Sequence, residues 1–210
     1  MKRFDISLYL ITDSTGLETD ELLKKVEDAL KGGVTILQLR EKEKNTREYI
    51  EIAEKVHSLT KKYNVPLIID DRVDVAMAVD AEGVHLGQSD MPVNIARKIL
   101  GEDAIIGATA KTVEQAKAAY EQEADYLGVG SIYPTTTKVK TVLTSVETLD
   151  EICNSVSIPV NAIGGLNKGN IDILKGIPIS GICVVSAIMK AENVMLETEE
   201  LLKKFREMRK

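Results

Sequence analysis

Five consecutive residues, Gln38-Leu39-Arg40-Glu41-Lys42, carry the densest chemistry in the chain. In an extended segment alternate side chains share a side, so Gln38, Arg40 and Lys42 face one way. A guanidinium with a fixed donor fork beside an ammonium is what phosphate or diphosphate oxygens require; the plainer alternative is a solvated, charged strand end. Carboxylates follow at Asp70, Asp71 and, within GQSDMP, Asp90. Carboxylates that leave coordination positions open are the usual way of holding Mg²⁺, which keeps waters and takes its other ligands from substrate phosphates. Asp90 alone also suits the N-cap of a helix opened by Pro92.

Further along, Tyr133-Pro134-Thr135-Thr136-Thr137-Lys138 offers three hydroxyls and a cation, although it also fits a turn with local side-chain hydrogen bonds. Ile163-Gly164-Gly165 and Val185-Ser186-Ala187 follow the last two strand-like runs. Glycines let backbone N–H groups approach an anion, with a ligand-free tight turn as the alternative. Together the clusters suggest two anion sites, one cationic with a metal and one built from backbone amides.

The elements that must position these groups recur regularly. Near-continuous apolar runs at 6–12, 34–40, 66–70, 83–87, 104–109, 126–132, 158–164 and 181–186 read as strands covered on both faces. Between them lie segments with helical spacing. The first, TDELLKKVEDALKGG, puts Leu22, Leu23, Val26, Ala29 and Leu30 on one stripe, with Thr19 as candidate N-cap. The second repeats the pattern with Ile50, Ala53, Val56 and Leu59, and further helices fit 72–79, 92–100, 112–123, 146–154, 167–174 and 194–208.

Eight strand-helix pairs without a break in composition predict a compact, single-domain (β/α)8 TIM barrel over residues 1–210. An open doubly wound sheet is the runner-up, but the first turn, DSTG, lacks a dinucleotide fingerprint. In such a barrel the reactive groups collect at the C-terminal strand ends, where all the clusters above lie, and the loops after strands 7 and 8 form a recurrent phosphate site.

Composition narrows the function classes. The chain has 210 residues, 44% of them hydrophobic, and a net charge of -6, which disfavours broad attraction to nucleic acid or anionic lipid. No Trp and two Phe leave few stacking platforms for single strands. No apolar run approaches the roughly 18 residues of a membrane span, so a cytoplasmic protein acting on small molecules is expected, with homo-oligomerisation open. Cys153 and Cys183 lack metal-like spacing and read as reduced, buried thiols. His57 falls inside the second helix as a packed or surface residue; His85 falls inside the fourth strand and receives no role.

LQLREK, DDRVDVA, GVHLGQSDMP, YLGVGSIYPTTTK, VNAIGGL and VVSAI, in this order across nearly the whole chain, closely resemble the thiamine-phosphate synthase family. The resemblance implies a barrel enzyme that joins a hydroxymethylpyrimidine diphosphate to a hydroxyethylthiazole phosphate, releasing diphosphate by a dissociative route. It implies Gln38, Arg40, Lys42 and Lys138 around the pyrimidine diphosphate, with Arg40, Lys42 and Lys138 stabilising the departing charge. It further implies Asp71 and Asp90 as Mg²⁺ ligands, Asp70 and Thr109 facing the pyrimidine, Thr135 and Thr137 at the thiazole, and Gly165, Val185 and Ser186 at its phosphate.

Three positions depart from the family pattern. Asp70 stands where Asn is general, Thr109 replaces Ser, and Lys111 stands where His is common. An ionised carboxylate accepts hydrogen bonds but donates none. Rival readings are a thiazole tautomerase-like paralogue, a family with His at the place of Ser131, a non-catalytic phosphate-binding barrel, and an isomerase or lyase needing a general base such as Glu41.

Overall fold

The computed structural model describes residues 4–135 and 142–209. Its strands are β1 (Leu8–Ile11), β2 (Ile36–Leu39), β3 (Leu67–Asp70), β4 (Gly83–Leu86), β5 (Ile105–Ala110), β6 (Tyr126–Gly130), β7 (Val160–Ile163) and β8 (Gly181–Val184). They close in sequence order into a barrel, every neighbouring pair parallel and β8 pairing back onto β1. The connecting helices are α1 (Thr19–Lys31), α2 (Thr46–Lys62), α3 (Val73–Ala78), α4 (Val93–Leu100), α5 (Val113–Glu121) and α6 (Val146–Ser155), with α7 (Ser186–Met189) and α8 (Val194–Met208) after β8. The (β/α)8 barrel expected from the sequence is therefore present. No helix among the described residues is long and apolar enough to cross a membrane.

Strand alternation divides the apolar residues into two layers. Leu8, Leu10, Leu37, Leu39, Leu67, Ile69, Val84 and Ile106 point outward and pack beneath the helices. Tyr9, Ile11, Ile36, Ile68, Ile105, Tyr126 and Cys183 fill the barrel interior. On β2 to β5 the residues of inward parity nearer the C-terminal ends are polar: Gln38, Asp70, His85 and Thr109. The lower barrel is a packed core and its mouth is a polar floor.

The helices hold the strand ends in place. Asn45 opens α2 with a capping box: its side chain accepts from the Glu48 N–H at 3.1 Å, and Glu48 accepts from the Asn45 N–H at 3.0 Å. This ties the helix start to the loop that carries Arg40 and Lys42. The buried face of α2 comprises Tyr49, Ile52, Ala53, Val56, His57 and Thr60, and the expected Ile50 and Leu59 flank it, half-buried against the same core. The Tyr49 hydroxyl donates to the Leu39 carbonyl at 2.7 Å and ties this face of the helix to β2.

Three local expectations are corrected. Thr19 is the first residue of α1, not its cap; Glu18 precedes it without a side-chain capping bond. Asp90 does not cap α4, whose cap position is Pro92. The helix expected over 167–174 shrinks to a 3₁₀ turn at Ile171–Leu174. There the Asn167 side chain accepts from the Gly169 N–H, and the Asn170 side chain from the Asn167 N–H, each at 2.8 Å. Such local bonds compete with helical ones.

Candidate active site

At the end of β2 the chain places Gln38 in the interior and Arg40 and Lys42 at the rim. The Arg40 N–H donates to Thr12 Oγ1 at 3.0 Å, fixing the strand end against the loop after β1. Lys42 Nζ donates to Asp70 Oδ2 at 2.8 Å and also to Asp71. Arg40 Nε stands 3.7 Å from Asp70 Oδ2.

Two successive carboxylates meet one ammonium because Asp71 adopts a left-handed backbone, φ 60°. A non-glycine residue in that region is uncommon, and Asp and Asn tolerate it best. Here it is held by the Asp71 N–H donating to the His85 carbonyl at 2.9 Å and the Arg72 N–H donating to the Asp70 carbonyl at 2.7 Å.

The carboxylates are electrostatically distinct. Burial pushes the Asp70 carboxyl above its ordinary range, against the pull of Lys42. Asp71 is also partly buried, but hydrogen bonds from Lys42 and Asp90 outweigh that and hold it below the ordinary range. Asp90 is raised, first by burial and then by Asp71. Lys42 loses hydration too, yet its two carboxylate partners raise it overall. Asp90 Oδ2 accepts from the Gly87 N–H at 2.8 Å, which aims the carboxyl at Asp71 rather than at the helix behind it.

Two carboxyls in hydrogen-bonding contact need either a shared proton or a cation between them. Among the described residues no three His, Cys, Asp or Glu side chains form a metal-holding group. A two-carboxylate set with open positions suits Mg²⁺ completed by water and phosphate oxygens, and it does not suit a closed zinc-type cage. Asp71 and Asp90 therefore fit the ion that the sequence led us to expect.

The opposite wall is made of backbone. Gly164 and Gly165 have φ of 108° and 65°. A Cβ on Gly164 would fall 1.9 Å from Ser131 Oγ, and one on Gly165 would fall 2.7 Å from Tyr133 Cβ. Only glycine fits either position. α7 starts at Ser186, so the first N–H groups of that turn have no carbonyl partner inside it.

Between the walls lies a cavity of about 170 Å³ lined by Gln38, Arg40, Asp70, Thr109, Thr135, Gly165, Val185 and Ser186. Eight of the expected substrate contacts thus meet at one mouth. Lys42, Asp71 and Asp90 do not line it; they form the adjoining rim. Thr137 and Lys138 lie outside the described residues.

His85, Lys111 and Cys183 also line the cavity, and neither histidine nor cysteine was assigned there from sequence. His85 is the one polar side chain of β4 and pairs in register with Asp70, a parity signal that was available in principle. His57 is buried against the Val79 carbonyl and the Glu82 carboxylate, a packed residue as expected.

A family model described as thiamine monophosphate synthase matches residues 8–188. A thiamine-phosphate synthase from Clostridium tetani is 51% identical over 98% of this chain and 99% of its own. One from Methanobrevibacter smithii is 48% identical, covering 98% of both chains. The solved structure of a thiamine phosphate pyrophosphorylase from Pyrococcus furiosus superposes with a TM-score of 0.89 at 43% identity, covering 98% of each chain. With similarity of this extent, the chain belongs to the thiamine monophosphate synthase family.

Proposed function

We propose that this chain couples a hydroxymethylpyrimidine diphosphate to a hydroxyethylthiazole phosphate, giving thiamine phosphate and diphosphate. The observation that carries the reading is a charged rim, in which Arg40 and Lys42 face the carboxyl groups of Asp70, Asp71 and Asp90, set across one cavity from the Gly164-Gly165 backbone. One end suits a diphosphate and the other a monophosphate.

In this reading the pyrimidine methylene C–O bond breaks first, its electron pair leaving with diphosphate, and the thiazole nitrogen lone pair then forms the C–N bond. Mg²⁺ at Asp71 and Asp90, when bound, supplies charge neutralisation to the diphosphate oxygens. Arg40 and Lys42 stabilise the same departing charge from fixed positions, with Lys138 closing on it. Lys42 is held by Asp70 and Asp71, so little reorganisation is required when the leaving group develops charge. Thr135 and Thr137 orient the thiazole, and the amides at Gly165, Val185 and Ser186 receive its phosphate. Ile11, Ile163, Leu166 and Val184 in the cavity wall keep water from the electron-poor methylene. No side chain is required as nucleophile. Charged, small substrates and the lack of a membrane-crossing helix among the described residues favour a cytoplasmic enzyme.

The test is incubation with both substrates and Mg²⁺. One diphosphate released per thiamine phosphate formed supports the reading; folded protein that forms neither product overturns it.

A further inference from the structure

Beneath the cavity five polar side chains from five strands join in a single file. Gln38 Nε2 donates to the Tyr9 hydroxyl at 2.8 Å. The Tyr9 and Tyr126 hydroxyl oxygens are 2.8 Å apart. The Tyr126 hydroxyl meets His85 Nδ1 at 3.1 Å, and His85 Nε2 meets Thr109 Oγ1 at 3.0 Å. Tyr9 and Tyr126 are buried below the cavity, whereas Gln38, itself buried, and His85 and Thr109 line its wall. We propose that this file is a one-way hydrogen-bond relay that makes the Thr109 hydroxyl a donor toward an acceptor atom of the bound ligand, such as an unprotonated ring nitrogen.

The direction follows from counting protons. An amide nitrogen can only donate, and each phenol has a single proton. Because the Tyr9 oxygen accepts from Gln38, its own proton goes to Tyr126. The Tyr126 proton then goes to His85 Nδ1. A neutral imidazole that accepts at Nδ1 carries its hydrogen on Nε2, and that hydrogen goes to Thr109 Oγ1. The threonine proton is left for the cavity. Burial pushes both phenols well above their ordinary range, so both keep the proton that the relay passes on.

If His85 Nδ1 donated instead, Tyr126 or Tyr9 would keep a buried proton with no acceptor among these partners, which is unfavourable. The reversal requires the Gln38 amide to be turned about, with Tyr9 donating into its oxygen. Thr109 would then spend its proton on His85 and could only accept.

Two glycines clear the space for the file. A Cβ at Gly107 would lie 2.0 Å from Tyr126 Cζ, and one at Gly128 would lie 3.2 Å from His85 Cε1. Resting on the function proposed above, the relay also answers the carboxylate at position 70. Asp70, ion-paired to Lys42, offers acceptor oxygens to the same cavity. An aminopyrimidine presents an exocyclic N–H donor and ring-nitrogen acceptors. Asp70 takes the first, and Thr109 supplies the donor that Asp70 does not.

The chain has only two histidines, which makes the direction measurable. In ¹⁵N-histidine-labelled free protein at neutral pH, His85 is expected to show a bare Nδ1 and a protonated Nε2. His57, whose Nδ1 lies 2.9 Å from the Val79 carbonyl and whose Nε2 lies 3.1 Å from a Glu82 carboxylate oxygen, supplies the reference shift for a protonated Nδ1. A protonated Nδ1 on His85 overturns the relay.

In the reaction, Tyr126→Phe should raise KM for the pyrimidine diphosphate about tenfold, the loss of one buried hydrogen bond, and leave KM for the thiazole phosphate unchanged. Should that variant fail to fold, Thr109→Val carries the same expectation, and Thr109→Ser should restore the wild-type value. An unchanged pyrimidine KM, or an equal rise for both substrates, refutes the proposal. If wild-type protein forms no product, the function reading fails, while the free-protein spectrum still decides the relay.

Discussion

Replacing Gly107 by Ala isolates the geometric constraint at the centre of the barrel. Gly107 lies on β5 with an ordinary backbone, so the added methyl brings no φ penalty; its cost is spatial. The new Cβ would sit 2.0 Å from Tyr126 Cζ and 2.3 Å from its hydroxyl, and must push the ring aside. Overpacking of this kind costs about 1–3 kcal/mol. Displacing the phenol also strains its hydrogen bonds to Tyr9 and His85, each contributing about 0.5–1.5 kcal/mol. The expected destabilisation is therefore about 2–6 kcal/mol, a large share of a stability that for domains is typically about 5–15 kcal/mol.

Urea unfolding followed by circular dichroism reads this as a fall in the midpoint at constant slope. Gly176→Ala is the matched control: φ is 88° there and no atom lies within 4 Å of the new Cβ, so only the backbone term of about 1–2 kcal/mol applies. In a Tyr126→Ala background Gly107→Ala should become nearly neutral, while Gly176→Ala keeps its full cost. Additive effects of Gly107→Ala and Tyr126→Ala would mean that the ring does not occupy the space beside Gly107, and the packing described for the barrel interior would be wrong.

Asp71→Ala and Asp90→Ala should each raise the Mg²⁺ concentration for half-maximal rate by more than about tenfold, measured by diphosphate release; unchanged Mg²⁺ dependence would remove both from the metal site. Asp70→Asn should keep turnover within about fivefold of wild type, because Lys42 retains Asp71 and a partly exposed ion pair is worth about 0–1 kcal/mol; a hundredfold loss would assign Asp70 a direct part in the chemistry. Burial pushes the Cys153 thiol up to about 12, and Cys183 is pushed up as well, leaving roughly 10⁻⁴ of Cys153 as thiolate at pH 8. Native protein should accordingly react with a disulfide reagent far more slowly than urea-unfolded protein, and rapid labelling of either cysteine in the native state would contradict the packing around it.

Much of the molecule was legible without coordinates because parallel strands covered on both faces leave a strong mark. Their apolar runs, alternating with amphipathic helices, are a local property of the chain, and the fold restricts reactive groups to one end of them. That was enough to bring Gln38, Arg40, Asp70, Asp71, Asp90 and the Gly164-Gly165 turn into consideration, whereas Thr109 entered only through the family resemblance. Residue parity alone put Gln38 and Arg40 on the cavity side.

Tertiary structure decided which of these groups touch. That Lys42 joins Asp70 and Asp71 depends on the left-handed turn at Asp71 and on the β2 to β3 register, neither of which is encoded in residue type. The 3₁₀ turn at Ile171–Leu174 arose where two asparagine side chains captured backbone N–H groups that a helical pattern would have used. The hydrogen-bonded file from Gln38 to Thr109 draws on β1, β2, β4, β5 and β6, and Tyr9 and Tyr126, 117 positions apart, meet only because the barrel closes. Taken singly along the chain, both tyrosines are core residues and His85 is an isolated polar side chain. Periodicity fixes the face on which a side chain lies, whereas hydrogen bonds require separations within a few tenths of an ångström across strands, and only barrel closure and register set those.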